Sequence, residues 1–299
     1  MSNRLIDDTT KREAGQREKR AVISTDHNDI MDHSVYYTYT ELHGNSSQVG
    51  DTPKPAVVIE AGIHAREWIS PAVNLWVIDA LIGGYRNGNT TITAMLDQLD
   101  WYIIPVTNPD GYQYSHEKDC LWRKNRRYIR RSCRGVNLNR NFDVAFNTTE
   151  VSNFCWSDIY LGDKPFSDPE SCNVKALVGI LQHRLMTYVA AHSFSQSWIG
   201  GLMASAMSVR HGTEYRTGQA LKVLGDAASG ISVDWALKIV PGIFAVGIEP
   251  RPPAKKLKPA AANRYTGRGY SGFLLTPQEI VPTAEEYFDG LVAMANELQ

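Results

Sequence analysis

The chain contains no run of eighteen apolar residues. Its best candidate, Ala72 to Ile82, is short and is broken by Asn74 and Asp79, so no membrane span is expected. It has no excess of either charge: 31 Lys and Arg face 32 Asp and Glu, leaving a net charge of −1. Binding of nucleic acid through whole-molecule positive charge is therefore disfavoured, although a local basic patch stays open. Glycine (23) and proline (14) are ordinary, and 43% of residues are apolar, which argues against disorder, collagen and low complexity. Cysteines number only four; they allow three full pairings, and spacing does not choose among them. The first twenty residues lack the apolar core of a secretory leader, so the chain is either cytosolic or begins after its signal. Acceptor sequons at Asn45, Asn89 and Asn147 lean toward the second option. The run Arg17-Glu18-Lys19-Arg20 reads equally as an exposed processing site and as a solvated charge run.

What remains is a chain of 299 residues, long enough for two domains, although α/β enzymes of this size often form one. Residues 1–32 carry no hydrophobic period and read as a flexible tail or pro-segment remnant; 33–299 read as one catalytic domain. Four short apolar runs read as buried strands: Pro55–Gly62, Trp101–Val106, Leu185–Ala191 and Ile243–Ile248. Between them lie helical signals. Ser70-Pro71 offers an N-cap and a first-turn proline, with Gly83-Gly84 as the stop. Ser167-Asp168-Pro169-Glu170 and Thr283-Ala284-Glu285-Glu286 have capping-box spacing, and 213–229 reads as helical. Asn108-Pro109-Asp110-Gly111 reads as a turn, and 112–166 as loop-rich. Alternating strands and helices predict a mixed, largely parallel sheet with helices on both faces.

In such sheets sites gather beyond the carboxyl ends of the strands. The polar residues there are His64 and Glu67, Asn108 and Asp110, His192, and Glu249. His64-Ala65-Arg66-Glu67 offers an imidazole and a carboxylate, and His192 follows another strand; together they make a three-ligand zinc set that leaves a position open. Taken singly, each has a plainer reading as a structural histidine or a surface carboxylate.

These residues carry a family resemblance. Gly62–Ile69 resembles the first metal motif of zinc metallocarboxypeptidases of the A/B type. Trp122-Arg123-Lys124-Asn125-Arg126 is similar to the segment with the carbonyl-polarising arginine, and Gly135–Phe142 to the Asn-Arg carboxylate clamp. Ala191–Gln196, Ile248–Arg251 and Gly272–Thr283 resemble the third-ligand, catalytic-glutamate and C-terminal motifs, all in family order. The resemblance implies one Zn²⁺ held by His64, Glu67 and His192, with Glu249 as base and then acid. It implies Arg126 as oxyanion donor, Asn139 and Arg140 as the clamp for the substrate carboxylate, and Arg66 lining the cleft. Val233 falls at the base of the specificity pocket, implying release of apolar C-terminal residues; one residue further, Asp234 would reverse that preference. Cys133–Cys155 resembles a family disulfide, while Cys120 and Cys172 pair together or stay free. The partners implied are peptide C-termini in an extracellular setting, with no specific nucleic acid.

The chain departs from that pattern in three places. Roughly 30 to 40 residues are short before the first parallel strand, so the sheet has a truncated, exposed edge. The segment after His192 is short. Gly225 and Asp226 stand where the family has a mobile tyrosine. A catalytically weak or inactive peptide-binding protein is therefore the alternative reading, and an amidohydrolase of acylated amino acids a third. Residues 123–134 hold seven Lys and Arg, which read as a polyanion contact or as a solvated loop face.

Overall fold

The computed structural model describes residues 40–42, 54–193, 197–198, 201–218, 228–250, 273, 275 and 277–298. The tail at 1–32, the basic run at 17–20, Asn45, and the Gly225-Asp226 position lie outside the described residues. So does much of the helix expected at 213–229.

Seven strands form one mixed sheet. They are β1 (Thr40–Leu42), β2 (Ala56–Ala61), β3 (Asp100–Ile104), β6 (Leu185–Ala191), β7 (Ser197–Trp198), β8 (Arg216–Thr217) and β9 (Phe244–Glu249). Their spatial order is β1-β3-β2-β6-β9-β7-β8. The central four, β3-β2-β6-β9, are parallel. β1 pairs antiparallel with β3, and β7 pairs antiparallel with β9. The strands of three and two residues at the sheet's ends are the short edges that limit stray pairing. A separate two-stranded ribbon joins β4 (Tyr128–Arg130) to β5 (Cys133–Arg134).

Alternation in the central strands feeds two apolar layers. Val57, Ile59 and Ala61 with Val189 and Ala191 face α1 (Ile69–Arg86), α2 (Thr90–Gln98), α5 (Gly201–His211) and α7 (Ile280–Glu297). Ala56 and Val58 with Tyr188 and Ala190 face α4 (Pro169–Leu181) and α6 (Ser232–Ile239). Helices on both faces and a parallel centre are the architecture read from the strand runs. No described helix is long and apolar enough to cross a membrane.

Several boundaries differ for physical reasons. α1 begins at Ile69, before the expected Ser70 cap, and Ser70 is not a cap. Its hydroxyl donates to the Glu67 carbonyl and accepts from the Gly62 amide, so it belongs to the turn after β2. Gly83-Gly84 does not stop the helix. A Cβ on Gly84 would meet Ile92 Cδ1 at 2.1 Å, so that glycine permits close packing of α1 on α2. Asn108–Gly111 is the start of helix α3 (Pro109–Glu117), with the Asn108 side chain accepting from the Gly111 amide. The capping-box readings fail at α4 and α7. Glu170 accepts from Asn125, and Thr283 lies inside α7, donating to the Glu279 carbonyl.

Candidate active site

The turn after β2 depends on Gly62, whose φ is +64°. A side chain there would be strained, and a Cβ would lie 2.9 Å from Pro71 Cγ. Beyond it His64 and Glu67 stand at the carboxyl end of β2. β2 and β6 pair in register through Ala61 and Ala191, so His192 emerges beside them. The His192 amide donates to the Ile248 carbonyl at 2.8 Å, which fixes it against β9.

His64, Glu67 and His192 are all buried, and their ligating atoms lie within 4.8 Å of one another. His64 Nδ1 is 2.8 Å from Glu67 Oε1, and His192 Nδ1 is 3.1 Å from Glu67 Oε2. The two Nδ1 atoms are 3.2 Å apart. Tetrahedral ligands at zinc bond lengths sit roughly 3.4 Å from each other, so the donor set fits this ion in chemistry and in spacing. The Ser193 amide donates to Glu67 Oε2 at 3.1 Å, orienting the carboxylate from behind. His64 Nε2 is buried with no hydrogen-bond partner among the described residues.

The electrostatics of His64 and Glu67 match ligation. Burial, followed by the Arg123 charge, holds His64 well below the usual imidazole range despite the opposing pull of Glu67. It is neutral at neutral pH, as a ligand must be. Burial alone would raise Glu67, but the two histidines hold it well below the carboxylate range. Burial pulls His192 down; Glu67, then Glu249 and Glu60, outweigh it and raise it. The Glu249 charge is thus felt at the cluster from the end of β9.

Around this centre the polar residues sort clearly. Asn139, in the short 3-10 helix Leu138–Arg140, presents its amide nitrogen 3.4 Å from His192 Nε2 and accepts from the Ser232 amide. Arg140 donates to the carbonyls of Glu150 and Asn139 at 2.8 Å. Arg66 donates to Asp158 at 3.1 Å and lies over the Phe273 ring. Val233 is buried in the apolar layer while its neighbour Asp234 is exposed.

Arg126 is not among the residues gathered here. Its guanidinium stacks 3.5 Å over the Tyr114 ring and 4.4 Å over Trp122. The cation at the cluster is Arg123, whose Nη1 donates to Glu67 Oε1 at 3.4 Å. Burial pushes Arg123 down to about 10; Glu67 opposes this, and the nearby charges of Arg66 and Arg140 add to it. Arg123 stands three positions before Arg126, the arginine expected from the sequence. Between the two arginines the chain is tied by the Trp122 indole, which donates to the Asn125 carbonyl.

One further feature bears on the site. Glu60, in β2, is fully buried, with its carboxylate accepting from the Ser232 hydroxyl. Cys133 and Cys155 form a disulfide, and Cys120 and Cys172 are free. Asn89 caps α2 with its side chain, and the Asn147 side chain accepts from Asn153.

Two buried imidazoles and a carboxylate converging at a parallel-sheet edge are the equipment of a metal-assisted hydrolase. Comparison with known proteins narrows the class. The zinc carboxypeptidase family model matches residues 17–202, and the chain belongs to that family. It is 34% identical over 263 residues to zinc carboxypeptidase A 1 of Anopheles gambiae, covering 82% of this chain and 57% of that protein. It is 32% identical to a zinc carboxypeptidase of Simulium vittatum, covering 81% of each. Identity to carboxypeptidase O of Bos taurus is 31%, over 94% of this chain and 75% of that one. Among solved structures, bovine thrombin-activatable fibrinolysis inhibitor in complex with tick carboxypeptidase inhibitor superposes with a TM-score of 0.69 at 29% identity, covering 82% of each chain. Carboxypeptidase A from Helicoverpa armigera superposes with a TM-score of 0.71 at 28% identity, covering 87% of this chain and 68% of that one. The chain is a metallocarboxypeptidase, a zinc-dependent hydrolase acting at peptide C-termini.

Proposed function

We propose that this metallocarboxypeptidase releases apolar C-terminal residues through His64, Glu67, His192, Glu249, Arg123, Asn139 and Arg140. His64, Glu67 and His192 would hold a zinc ion, which when bound would supply Lewis acidity and lower the pKa of a water in the site. Glu249 takes the proton of the attacking water and returns it to the departing amine. Arg123 donates an N–H to the carbonyl oxygen as negative charge develops there. Asn139 and Arg140 hold the terminal carboxylate, and a planar guanidinium suits that task; the clamp is what confines cleavage to chain ends. Arg66 lines the cleft beside Asp158. Val233 closes the specificity pocket with an apolar surface, and the exposure of Asp234 supports this register.

The observation that carries the reading is the buried cluster of three ligands with Arg123 against it. It supports Arg123 rather than Arg126 as the oxyanion donor. Arg123→Ala should lower kcat on a blocked dipeptide ending in Leu or Phe by about 10²- to 10³-fold. Arg126→Ala should leave it within a few-fold, and Glu249→Gln should abolish it in a protein that still binds zinc. A crippled Arg126→Ala beside an active Arg123→Ala would reverse the assignment.

The Cys133–Cys155 disulfide supports an oxidising, extracellular setting. The exposed cations of segment 123–134 are Arg130, Arg131 and Arg134, and any anionic contact of the segment is assigned to them. The other four cations of that segment are engaged with Glu67, the Cys155 carbonyl, two aromatic rings, and Asp163 with Asp168.

A further inference from the structure

The β4–β5 ribbon carries a surface that the hydrolytic chemistry does not use. Arg130, Arg131 and Arg134 are exposed and make no ion pair with any described carboxylate. Beside them three large aromatic rings stand open to solvent: Tyr128 at 59%, Phe154 at 61% and Trp156 at 49% exposure. Arg130 lies 4.6 Å over the Trp156 ring, and Arg134 lies 4.6 Å over Tyr128. Phe154 packs on Trp156 with centroids 4.8 Å apart. The Cys133–Cys155 disulfide bolts the ribbon to the loop that bears both rings. Guanidinium groups stacked on rings are held in place before any ligand arrives, which lowers the entropy lost on pairing.

This platform adjoins the catalytic cleft. Two residues beyond Trp156, Asp158 accepts from Arg66, which stands next to the ligand Glu67. The Asp158 carbonyl accepts from Asn137, two residues before Asn139. Of the acidic groups on this loop, Asp158 is paired with Arg66, while the exposed Glu150 carboxylate acts on Arg140.

We propose that this surface is a subsite for the upstream part of peptide substrates, selecting chains with acidic residues several positions before the scissile bond. The inference rests on the carboxypeptidase reading given above and names a substrate class for the same site. Carboxylates would pair with Arg130, Arg131 and Arg134, while intervening side chains pack on Tyr128, Phe154 and Trp156. The rings give the side chains between those carboxylates an apolar surface to pack on, as a peptide's would.

The test uses two peptides with the same C-terminal dipeptide, one carrying a block of four Glu upstream and the other four Gln. A blocked dipeptide too short to reach the ribbon serves as control. The zinc-loaded enzyme should show about five- to tenfold higher kcat/KM for the Glu peptide at low ionic strength, shrinking toward parity in about 0.5 M salt. The triple variant Arg130→Ser, Arg131→Ser, Arg134→Ser should lose the preference and keep full activity on the dipeptide. Charge reversal by Arg130→Glu with Arg134→Glu should invert it. Equal cleavage of both peptides by the unaltered enzyme, or a preference that survives the triple variant, overturns the proposal. So does tight heparin binding through these arginines with no effect on peptide choice. Inactivity on the dipeptide condemns the catalytic reading instead. In that case binding of the two peptides, read by fluorescence anisotropy, decides the subsite separately.

Discussion

At the residue scale, Glu60 is the group whose burial is hardest to reconcile with a stable core. Burial raises its carboxyl above the usual range; the Ser232 hydroxyl, the His192 charge and Tyr188 only partly oppose this. A carboxyl raised on folding leaves stability intact below its unfolded pKa and removes it as pH climbs through the folded value. Glu60→Gln should therefore melt higher than the unaltered, metal-free protein at about pH 8, with the gap closing toward about pH 4.5. Thermal melts across that range check it, and a gap that widens toward acid would contradict it. The three residues that form the candidate metal cluster were legible in the sequence because strand ends put them there. Which of Arg123 and Arg126 lies against that cluster was not. That segment has no hydrophobic period, so nothing in its pattern says which guanidinium turns inward; the segment is held by hydrogen bonds that Asn125 accepts, from the Trp122 indole and from the Arg127 and Val136 amides.

At the scale of elements, the central strands were read nearly to the residue, since buried parallel strands are continuous apolar runs. Helix ends were read less well. Ser70, Gly84 and Thr283 have the right residue types for caps and stops, but Ser70 is taken by the turn after β2, Gly84 by packing against Ile92, and Thr283 by the carbonyl one turn earlier in its own helix. Gly230 is a position where a turn does demand glycine. Its φ is +69°, and a Cβ would lie 2.3 Å from the Arg140 carbonyl oxygen. Gly230→Ala should cost about 1–3 kcal/mol and displace the 3-10 helix that carries the clamp. A lower melting temperature together with a raised KM for substrates with a free C-terminal carboxylate would show both effects.

At the scale of the whole molecule, the loop-rich stretch between α3 and α4 holds much of the recognition surface and little regular structure. The Cys133–Cys155 cross-link closes a span of 22 residues there. Replacing both cysteines by serine should lower stability by about 3 kcal/mol in the chain-entropy account, read as a shift of the denaturant midpoint at constant slope. A shift near zero would mean that the many hydrogen bonds of Asn125, Asn137 and Asn141 already hold the stretch.

Both imidazoles hang from β2 and β6, neighbours at the middle of the sheet and matched Ala61 to Ala191. The grip on the ion is therefore inherited from pairing between two interior strands, and not from anything at the periphery. Trimming of outlying strands across descendants of this fold can proceed a long way before the cation is lost.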